Sequence, residues 1–304
     1  TNVTTGDWTA ENGTSFAAVT SPAIKGYTPD LAEVPAVDNI TSDSPNIEKT
    51  VVYTANQEKA QVRYIDDTTG ATLETKELTG DYNTTDDYRT TETIKKYTDK
   101  NYELVSDNYP SNGVTYDTTY KKFEVHLRHK VVSVQETKTV TETIKYVYED
   151  NTQAAATKVQ TLNFERINTK DLVTNNIVYK GPWIPSTGTF SEVVSPKVDG
   201  YTPDKATVAA VEQITGDSAD IEETVTYKAD KQKVTYTIID DTAHKTLKDK
   251  EVLTSGDSDT PLSDSARAKY DSIVNAYLAQ GYELVSKDEL PAKFDLDSSH
   301  DQNV

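Results

Sequence analysis

The side chains that could do chemistry are few and poorly placed for catalysis. The chain has 304 residues, with no cysteine and four histidines. His126 and His129 are three residues apart on a predicted strand. Side chains alternate between the two faces of a strand, so this pair makes a poor site for one metal ion. We interpret both as solvated strand-end histidines, while His244 and His300 are isolated.

Two carboxylate pairs, Asp66-Asp67 and Asp240-Asp241, are the other candidates for chemistry. Glycosidases need two carboxylates that face each other across a cleft, whereas neighbours on a strand diverge. We favour a hairpin turn in which the aspartate binds its own backbone. A weak calcium site is the alternative, although the EF-hand pattern is absent. The motifs of nucleotide-binding loops and serine hydrolases are also absent. We therefore predict that the protein is not an enzyme and needs no metal or cofactor.

Trp8 and Trp183 are the only tryptophans, and they occupy equivalent positions of an internal repeat. An exposed indole could stack on the face of a sugar, which makes both residues candidate ligand-binding positions. The alternative is that each tryptophan fills the small core of its own module.

The internal repeat is the strongest signal in the chain. Residues 26–57 and 200–231 are identical at 19 of 32 aligned positions, with an offset of 174. The segment Tyr102–Ser106 recurs unchanged as Tyr282–Ser286. A period of this length indicates a domain-sized module, or a pair of small ones, copied in tandem. Tandem domains suggest multivalent binding more than a single catalytic pocket.

Composition limits the partners. The formal net charge is −19, from 50 acidic and 31 basic residues. Nucleic acid binding needs clustered basic residues, so nucleic acid is a poor candidate partner, as is an anionic membrane surface. No apolar run approaches the roughly 20 residues of a membrane span. Without cysteine the modules have no disulfides, so they must fold by apolar burial alone.

The sequence patterns of the second and fourth segments, residues 57–130 and 231–304, predict the same small α+β unit in each segment. Alternating apolar residues predict strands at 233–241 and 247–253. Helical spacing from Ala266 to Tyr277 follows, with Ser263 or Asp264 as the N-cap. Gly281, or Asn101 in the first copy, suits the left-handed residue after a helix. Tyr282–Val285 predicts a further strand, and Phe123–Leu127 the last strand. The order strand, strand, helix, strand, strand makes the β-grasp the obvious candidate fold.

The third segment, residues 131–230, predicts more strands. Ile144 to Tyr148 and Ile221 to Tyr227 indicate strands, while Pro182–Pro185 indicates an edge or turn. The first segment, residues 1–56, matches only the second half of the third segment and lacks its two leading strands. The fourth segment lacks its last strand. The joint at Lys228–Gln232 has neither Gly nor Pro, so one module is expected to run almost directly into the next.

These motifs resemble the mucus-binding (Mub) repeats of lactobacillal surface adhesins, which pair an N-terminal module with a mucin-binding (MucBP) module. The opening of the N-terminal module is similar to Val140–Asp150, and its later part is similar to Ser195–Asp204 and Ser21–Asp30. The MucBP signature is similar to Val62–Asp67 with Tyr102–Ser106, and to Tyr236–Asp241 with Tyr282–Ser286. The resemblance covers essentially the whole chain, and it departs from the family at the two incomplete ends.

The resemblance implies tandem ubiquitin-like β-grasp modules arranged as an elongated rod. The implied function is multivalent binding of host mucin glycoproteins, through their glycans, by an extracellular protein. It further implies attachment to the cell wall of a Gram-positive bacterium, with the anchor outside this segment. The N-terminal modules resemble immunoglobulin-binding domains, so immunoglobulin is an alternative partner. A structural spacer is the third possibility. The family offers no motif that assigns mucin-contacting residues by position.

Overall fold

The computed structural model describes all residues from Thr1 to Val304. The chain is strand-rich and has only two helices, one in each of the two segments for which a helix is predicted. It divides into two compact units. The first unit contains Thr1–Val134 and Thr169–Tyr179, and the second contains Gln135–Asn168 and Lys180–Val304.

The first segment forms only short strands, which are β1 (Val19–Thr20), β2 (Tyr27–Pro29), β3 (Glu33–Val34) and β4 (Tyr53–Ala55). β1 pairs with β3 and β2 pairs with β4, both antiparallel. None of the four buried apolar clusters of the chain includes a residue of this segment. The first segment therefore has strand pairs but no core of its own.

The second segment forms a four-stranded sheet with one helix. Its elements are β5 (Gln57–Asp66), β6 (Thr72–Asp81), α1 (Thr91–Thr98), β7 (Tyr102–Asp107) and β8 (Lys121–His129). The strand order is β6-β5-β8-β7, in which β5 and β8 are parallel and the other pairs antiparallel. Ala60, Val62 and Tyr64 alternate along β5 and are fully buried, so one sheet face forms the core while the other faces solvent. The predicted order of elements is confirmed.

The third segment contains nine strands. They are β9 (Val131–Tyr148), β10 (Gln153–Asp171), β11 (Ile177–Lys180), β12 (Gly188–Phe190), β13 (Val193–Val194), β14 (Tyr201–Pro203), β15 (Thr207–Val208), β16 (Val211–Ile214) and β17 (Ile221–Ala229). Five form a sheet in the order β11-β10-β9-β17-β14, and β17 is parallel to β9. The pairing Val193↔Val208 repeats Val19↔Val34 at the offset of 174. The sequence repeat is thus also a repeat of backbone pairing.

The fourth segment contains β18 (Lys231–Asp240), β19 (Lys245–Asp257), α2 (Asp264–Ala279) and β20 (Gln302–Asn303). β18 is antiparallel to β19 and parallel to β20. The Ser263 hydroxyl accepts a hydrogen bond from the Ala266 amide at 3.1 Å, which confirms the predicted N-cap. Gly281 (φ +93°) and Asn101 (φ +69°) are left-handed after their helices, also as predicted. Neither helix has the length and apolar character needed to cross a bilayer.

The strand predicted at Tyr282–Val285 is wrong, since these residues form no strand. In the first copy, Tyr102–Asp107 is a strand because it pairs with Val125–His129 of β8. The fourth segment's sheet has the order β19-β18-β20, and no strand lies beside Tyr282–Val285. A strand needs a hydrogen-bonded neighbour, so the same five residues have different structures in the two copies.

Consecutive segments are joined by single residues. Asn56 separates β4 from β5, Lys130 separates β8 from β9, and Asp230 separates β17 from β18. The prediction that one module runs almost directly into the next at Lys228–Gln232 is confirmed.

Candidate functional site

His129, at the end of β8, is buried between two carboxylates. Its Nε2 atom lies 2.8 Å from Asp66 Oδ2, and its Nδ1 atom lies 2.5 Å from Asp171 Oδ2. The side chains of His129 and Asp171 are each 5% exposed, and that of Asp66 is 3% exposed. The prediction of a solvated histidine is therefore wrong for His129. Both ring nitrogens face carboxylate oxygens, an arrangement that suits a protonated imidazolium and not a metal chelate.

The three groups stabilise one another's charged forms. Burial opposes the charge on the imidazole, but hydrogen bonds with Asp171 and Asp66 outweigh burial and raise the pKa of His129. Burial also opposes charge on Asp66, yet hydrogen bonds from Thr69, Thr68 and His129 lower its pKa overall. The pKa of Asp171 is lowered in the same way by His129 and two backbone amides, against the effect of burial.

Local turn chemistry places Asp66 in this cluster. The Thr68 amide donates to Asp66 Oδ1 at 2.9 Å, and the Thr69 hydroxyl donates to Asp66 Oδ2 at 2.8 Å. Asp240 accepts from two backbone amides in the matching turn, so the predicted aspartate turns are confirmed. Asp67 points the other way, and its Oδ1 lies 2.6 Å from Nδ1 of His126. His126 and His129 are thus on opposite faces, as predicted.

Asp171 comes from the hairpin between β10 and β11. The amides of Val173 and Thr174 donate to Asp171 Oδ1 at 2.8 and 3.1 Å. The Leu172 amide beside it donates to the Lys130 carbonyl at 2.9 Å. Asp171 was not predicted as a site residue, because it lies 42 positions from His129 in the chain and no local pattern links the two.

The solvent face of the second segment's sheet has an ordered aromatic group. The Tyr120 hydroxyl donates to Glu77 Oε2 at 2.5 Å, and Gln61 Nε2 donates to Glu77 Oε1 at 2.5 Å. Lys122 Nζ lies 5.1 Å from the centre of the Tyr120 ring. Gln61 and Tyr120 lower the pKa of Glu77. We call Tyr120, Glu77, Gln61 and Lys122 the Tyr120 patch.

Strand register assembles the Tyr120 patch. Gln61 of β5 lies opposite Glu77 of β6 and beside Lys122 of β8. Tyr120 is 42% exposed, and its hydroxyl is held by Glu77. An aromatic ring beside a carboxylate, an amide and an ammonium group can pack against the apolar face of a ligand and bind its hydroxyl groups. None of these residues was predicted as a site residue, because their separations in the chain give no signal.

Paired charges continue along the same sheet face. An Arg63 guanidinium nitrogen lies 2.5 Å from Glu124 Oε1, and His126 Nε2 lies 3.2 Å from Glu124 Oε2. Arg128 Nε lies 3.1 Å from Glu103 Oε2. Exposed pairs of this kind add little stability. They do keep the whole face polar, which suits a hydrophilic ligand.

Trp183 is a core residue. It is 9% exposed and belongs to the cluster that contains Phe164. The Arg166 guanidinium lies 4.0 Å from the centre of its ring, and Arg166 Nε donates to Glu136 Oε2 at 2.7 Å. Phe164 and Arg166 cover the indole, so Trp183 offers no free face to a sugar. The interpretation of Trp183 as a core residue is confirmed.

Trp8 has a different environment from Trp183. It is 85% exposed, so the core interpretation is wrong for this residue. Trp183 is covered by side chains of β10, and the first segment has no strand that corresponds to β10. The indole of Trp8 is accessible, and its stacking on a sugar stays a prediction.

The chain is a tandem repeat protein built from small sheet modules. Two known domain families match these modules. The Muc B2-like domain matches residues 1–57 and 131–231, and the mucin binding domain matches residues 58–129 and 232–304. The first match covers more than half of the chain. The chain therefore belongs to the family built from Muc B2-like and mucin-binding domains, which occur in bacterial surface adhesins.

Several solved structures are similar to parts of this chain. The crystal structure of Mub-RV is 38% identical, with a TM-score of 0.50, over 57% of this chain and 99% of that chain. The type 2 repeat of the mucus binding protein MUB from Lactobacillus reuteri is 32% identical, with a TM-score of 0.46, over 57% of this chain and 100% of that one. The mucin-binding domain of Spr1345 from Streptococcus pneumoniae is 38% identical, with a TM-score of 0.29, over 32% of this chain and 96% of that one. The comparison with curated proteins found no match. The predicted resemblance to Mub repeats is confirmed.

Proposed function

We propose that this chain is a pair of adhesin repeats that bind host mucin glycoproteins through their glycans and catalyse no reaction. The observation that carries the proposal is the match to a mucin binding domain at two separate places, residues 58–129 and 232–304. Each contact is weak, and tandem domains raise the overall affinity by multivalency.

The Tyr120 patch is the contact surface that we propose for the glycan in the second segment. Its support is chemical: sugars present hydroxyl groups and an apolar ring face, and the patch offers an aromatic ring with the hydrogen-bonding groups of Glu77 and Gln61 at its hydroxyl end. The fourth segment differs at the matching positions. Thr235 replaces Gln61 and is buried, and His300 stands near the position of Tyr120. We therefore propose that the second segment binds glycan more strongly than the fourth.

We also propose that the second segment is a β-grasp domain. Two parallel central strands flanked by antiparallel ones, with a helix between the second and third strands, support this assignment. The end-to-end rod expected from the sequence remains a prediction, as does attachment to a cell wall.

The test is a plate assay that compares binding of the whole chain to intact mucin and to enzymatically deglycosylated mucin. We expect binding to intact mucin and a large loss after deglycosylation. Equal binding to both preparations would contradict the glycan proposal and leave a protein–protein contact. Absence of binding to either would favour the spacer function.

Immunoglobulin binding is the second candidate function, and one feature favours it. β11 is an edge strand of the five-stranded sheet, and its residues Ile177, Val178 and Tyr179 are exposed. An unpaired edge with apolar side chains can accept a strand from a partner. Binding of the chain to immobilised immunoglobulin in a parallel well distinguishes the two functions.

A further inference from the structure

The joint between the second and third segments is held by buried charges, and the joint between the first and second is not. Asp66, His129 and Asp171, which we call the Asp-His-Asp clasp, come from β5, β8 and β10. We propose that the clasp is a proton-controlled lock, which holds the β10–β11 hairpin against the second segment while His129 is protonated and releases it when His129 loses its proton.

The clasp is the charged part of a small contact. Besides its two ion pairs, the Leu172 amide donates to the Lys130 carbonyl at 2.9 Å, and Asn101 Nδ2 donates to the Leu172 carbonyl at 3.2 Å. Both of these hydrogen bonds are neutral. The protonation state of His129 therefore sets a large share of the electrostatic energy of this contact.

The groups that face His129 come from three elements. Asp66 of β5 and Asp171 of β10 are the charged groups, and both contact the ring nitrogens. The Tyr102 ring of β7 packs edge-on against the His129 ring, with 5.1 Å between the ring centres. Burial, Asp66 and Asp171 raise the pKa of the Tyr102 phenol, so it stays neutral over the range considered. The other histidine of the strand, His126, pairs with Asp67 on the opposite face.

The direction of the pH dependence follows from hydrogen-bonding capacity. The imidazolium donates two N–H groups, one to each carboxylate, whereas neutral imidazole has one N–H and turns a lone pair towards the second carboxylate. The raised pKa of His129 agrees with this preference for the protonated form. The clasp is therefore strongest below the ordinary histidine pKa of about 6.5 and weakens as the pH rises through the folded pKa. Acid releases it only well below an ordinary aspartate pKa of about 3.9, because both carboxyl pKa values are lowered.

The joint between the first and second segments provides an internal control. Its single linking residue is the neutral Asn56, whose Oδ1 accepts from the Thr28 hydroxyl at 2.5 Å. The ion pair near this joint, Lys25 with Asp117, contains no histidine. Neither of its groups changes charge between about pH 6 and pH 9. This joint is therefore expected to be insensitive to pH over the range that opens the clasp.

The test uses the whole chain, with NMR titration of the histidine rings and amide hydrogen exchange from about pH 6 to pH 9. We expect His129 to titrate above the ordinary histidine pKa. The opening constant of the Leu172 amide is the exchange rate divided by the intrinsic rate at the same pH. As His129 loses its proton, this constant should rise roughly tenfold for each pH unit by which the folded His129 pKa exceeds the ordinary value. The Asn56 amide, which donates to the Gly26 carbonyl, should show no such rise. A His129 pKa at or below the ordinary value, or a Leu172 opening constant that does not change with pH, would overturn the proposal.

A matched pair of variants sharpens the test. Asp171→Asn removes one charge from the clasp but keeps the Oδ1 acceptor for Val173 and Thr174. It should lower the His129 pKa and increase Leu172 exchange at the acid end of the titration. Asp67→Asn makes the same change beside the half-buried His126, and it should leave Leu172 exchange unchanged. Equal effects of the two variants would contradict the clasp. If Asp171→Asn disturbs the whole fold, the wild-type titration still decides the question.

Discussion

A β-carbon at Gly26 would overlap Cγ of Tyr82, so the backbone of the first segment packs directly on a ring of the second. Gly26 is also left-handed, with φ +79°. Gly200, its counterpart in the repeat, has φ +81°, and its β-carbon would lie 2.7 Å from Leu296 Cδ2. Glycine is therefore required at this position of the repeat for two reasons. The backbone is left-handed, and a side chain would collide with the following segment.

Replacement of Gly26 by alanine should destabilise the joint, by about 1–3 kcal/mol for the strained backbone alone. Gly70 is the matched control, because it has φ +78° but no neighbouring atom within 4 Å of the place that a β-carbon would occupy. Urea unfolding of Gly26→Ala and Gly70→Ala measures both losses. A greater loss for Gly26→Ala is expected, and equal losses would show that the contact with Tyr82 contributes nothing.

The two tryptophans should respond oppositely to truncation. Trp183→Ala removes a buried ring and should cost about 3–5 kcal/mol of unfolding free energy. Trp8→Ala removes an exposed ring and should leave the thermal midpoint unchanged. Thermal unfolding followed by circular dichroism measures both effects. If Trp8→Ala also leaves mucin binding unchanged, its predicted role in sugar stacking is wrong.

Tyr120→Ala should weaken mucin binding without loss of stability, since the side chain lies on the solvent face of the sheet. Tyr120→Ala removes the ring that packs on the sugar, a loss of about 0.5–1.5 kcal/mol, or roughly a two- to tenfold weaker affinity for each module. Tyr179→Ala is the control, because Tyr179 is an exposed tyrosine on the β11 edge. It should leave mucin binding unchanged and reduce binding to immobilised immunoglobulin. The reverse pattern would exclude the Tyr120 patch as the glycan contact.

Mucin binding should strengthen as the pH falls from about 7 to 5 and should hold steady or strengthen as salt rises at neutral pH. Mucins carry acidic groups, and this chain has a net charge of −19, so long-range repulsion opposes their encounter. Surface plasmon resonance on immobilised mucin measures both trends, with circular dichroism to confirm folding. A steep fall in affinity with salt would indicate instead that cations such as Arg63 and Lys122 attract the ligand.

Local signals were sufficient to predict much of the fold. The helix cap at Ser263, the left-handed residues Asn101 and Gly281 and the aspartate turns depend on neighbours within a few residues, and all were predicted correctly. The alternation from Phe123 to Leu127 likewise predicted the strand β8. The offset of 174 identified the tandem modules. Such features are determined by the sequence because the groups that interact are close along the chain.

Identical or equivalent residues nevertheless have different structures where distant partners decide. Tyr102–Ser106 lies in a strand and Tyr282–Ser286 does not, because only the first has a neighbouring strand to accept its hydrogen bonds. Trp183 is buried and Trp8 is exposed, because only Trp183 lies beneath β10. His129 is buried because Asp171, far along the chain, completes its environment. Sequence patterns report how apolar and polar residues alternate, whereas burial, pairing and the ionisation of a side chain depend on which remote groups the tertiary structure brings against it.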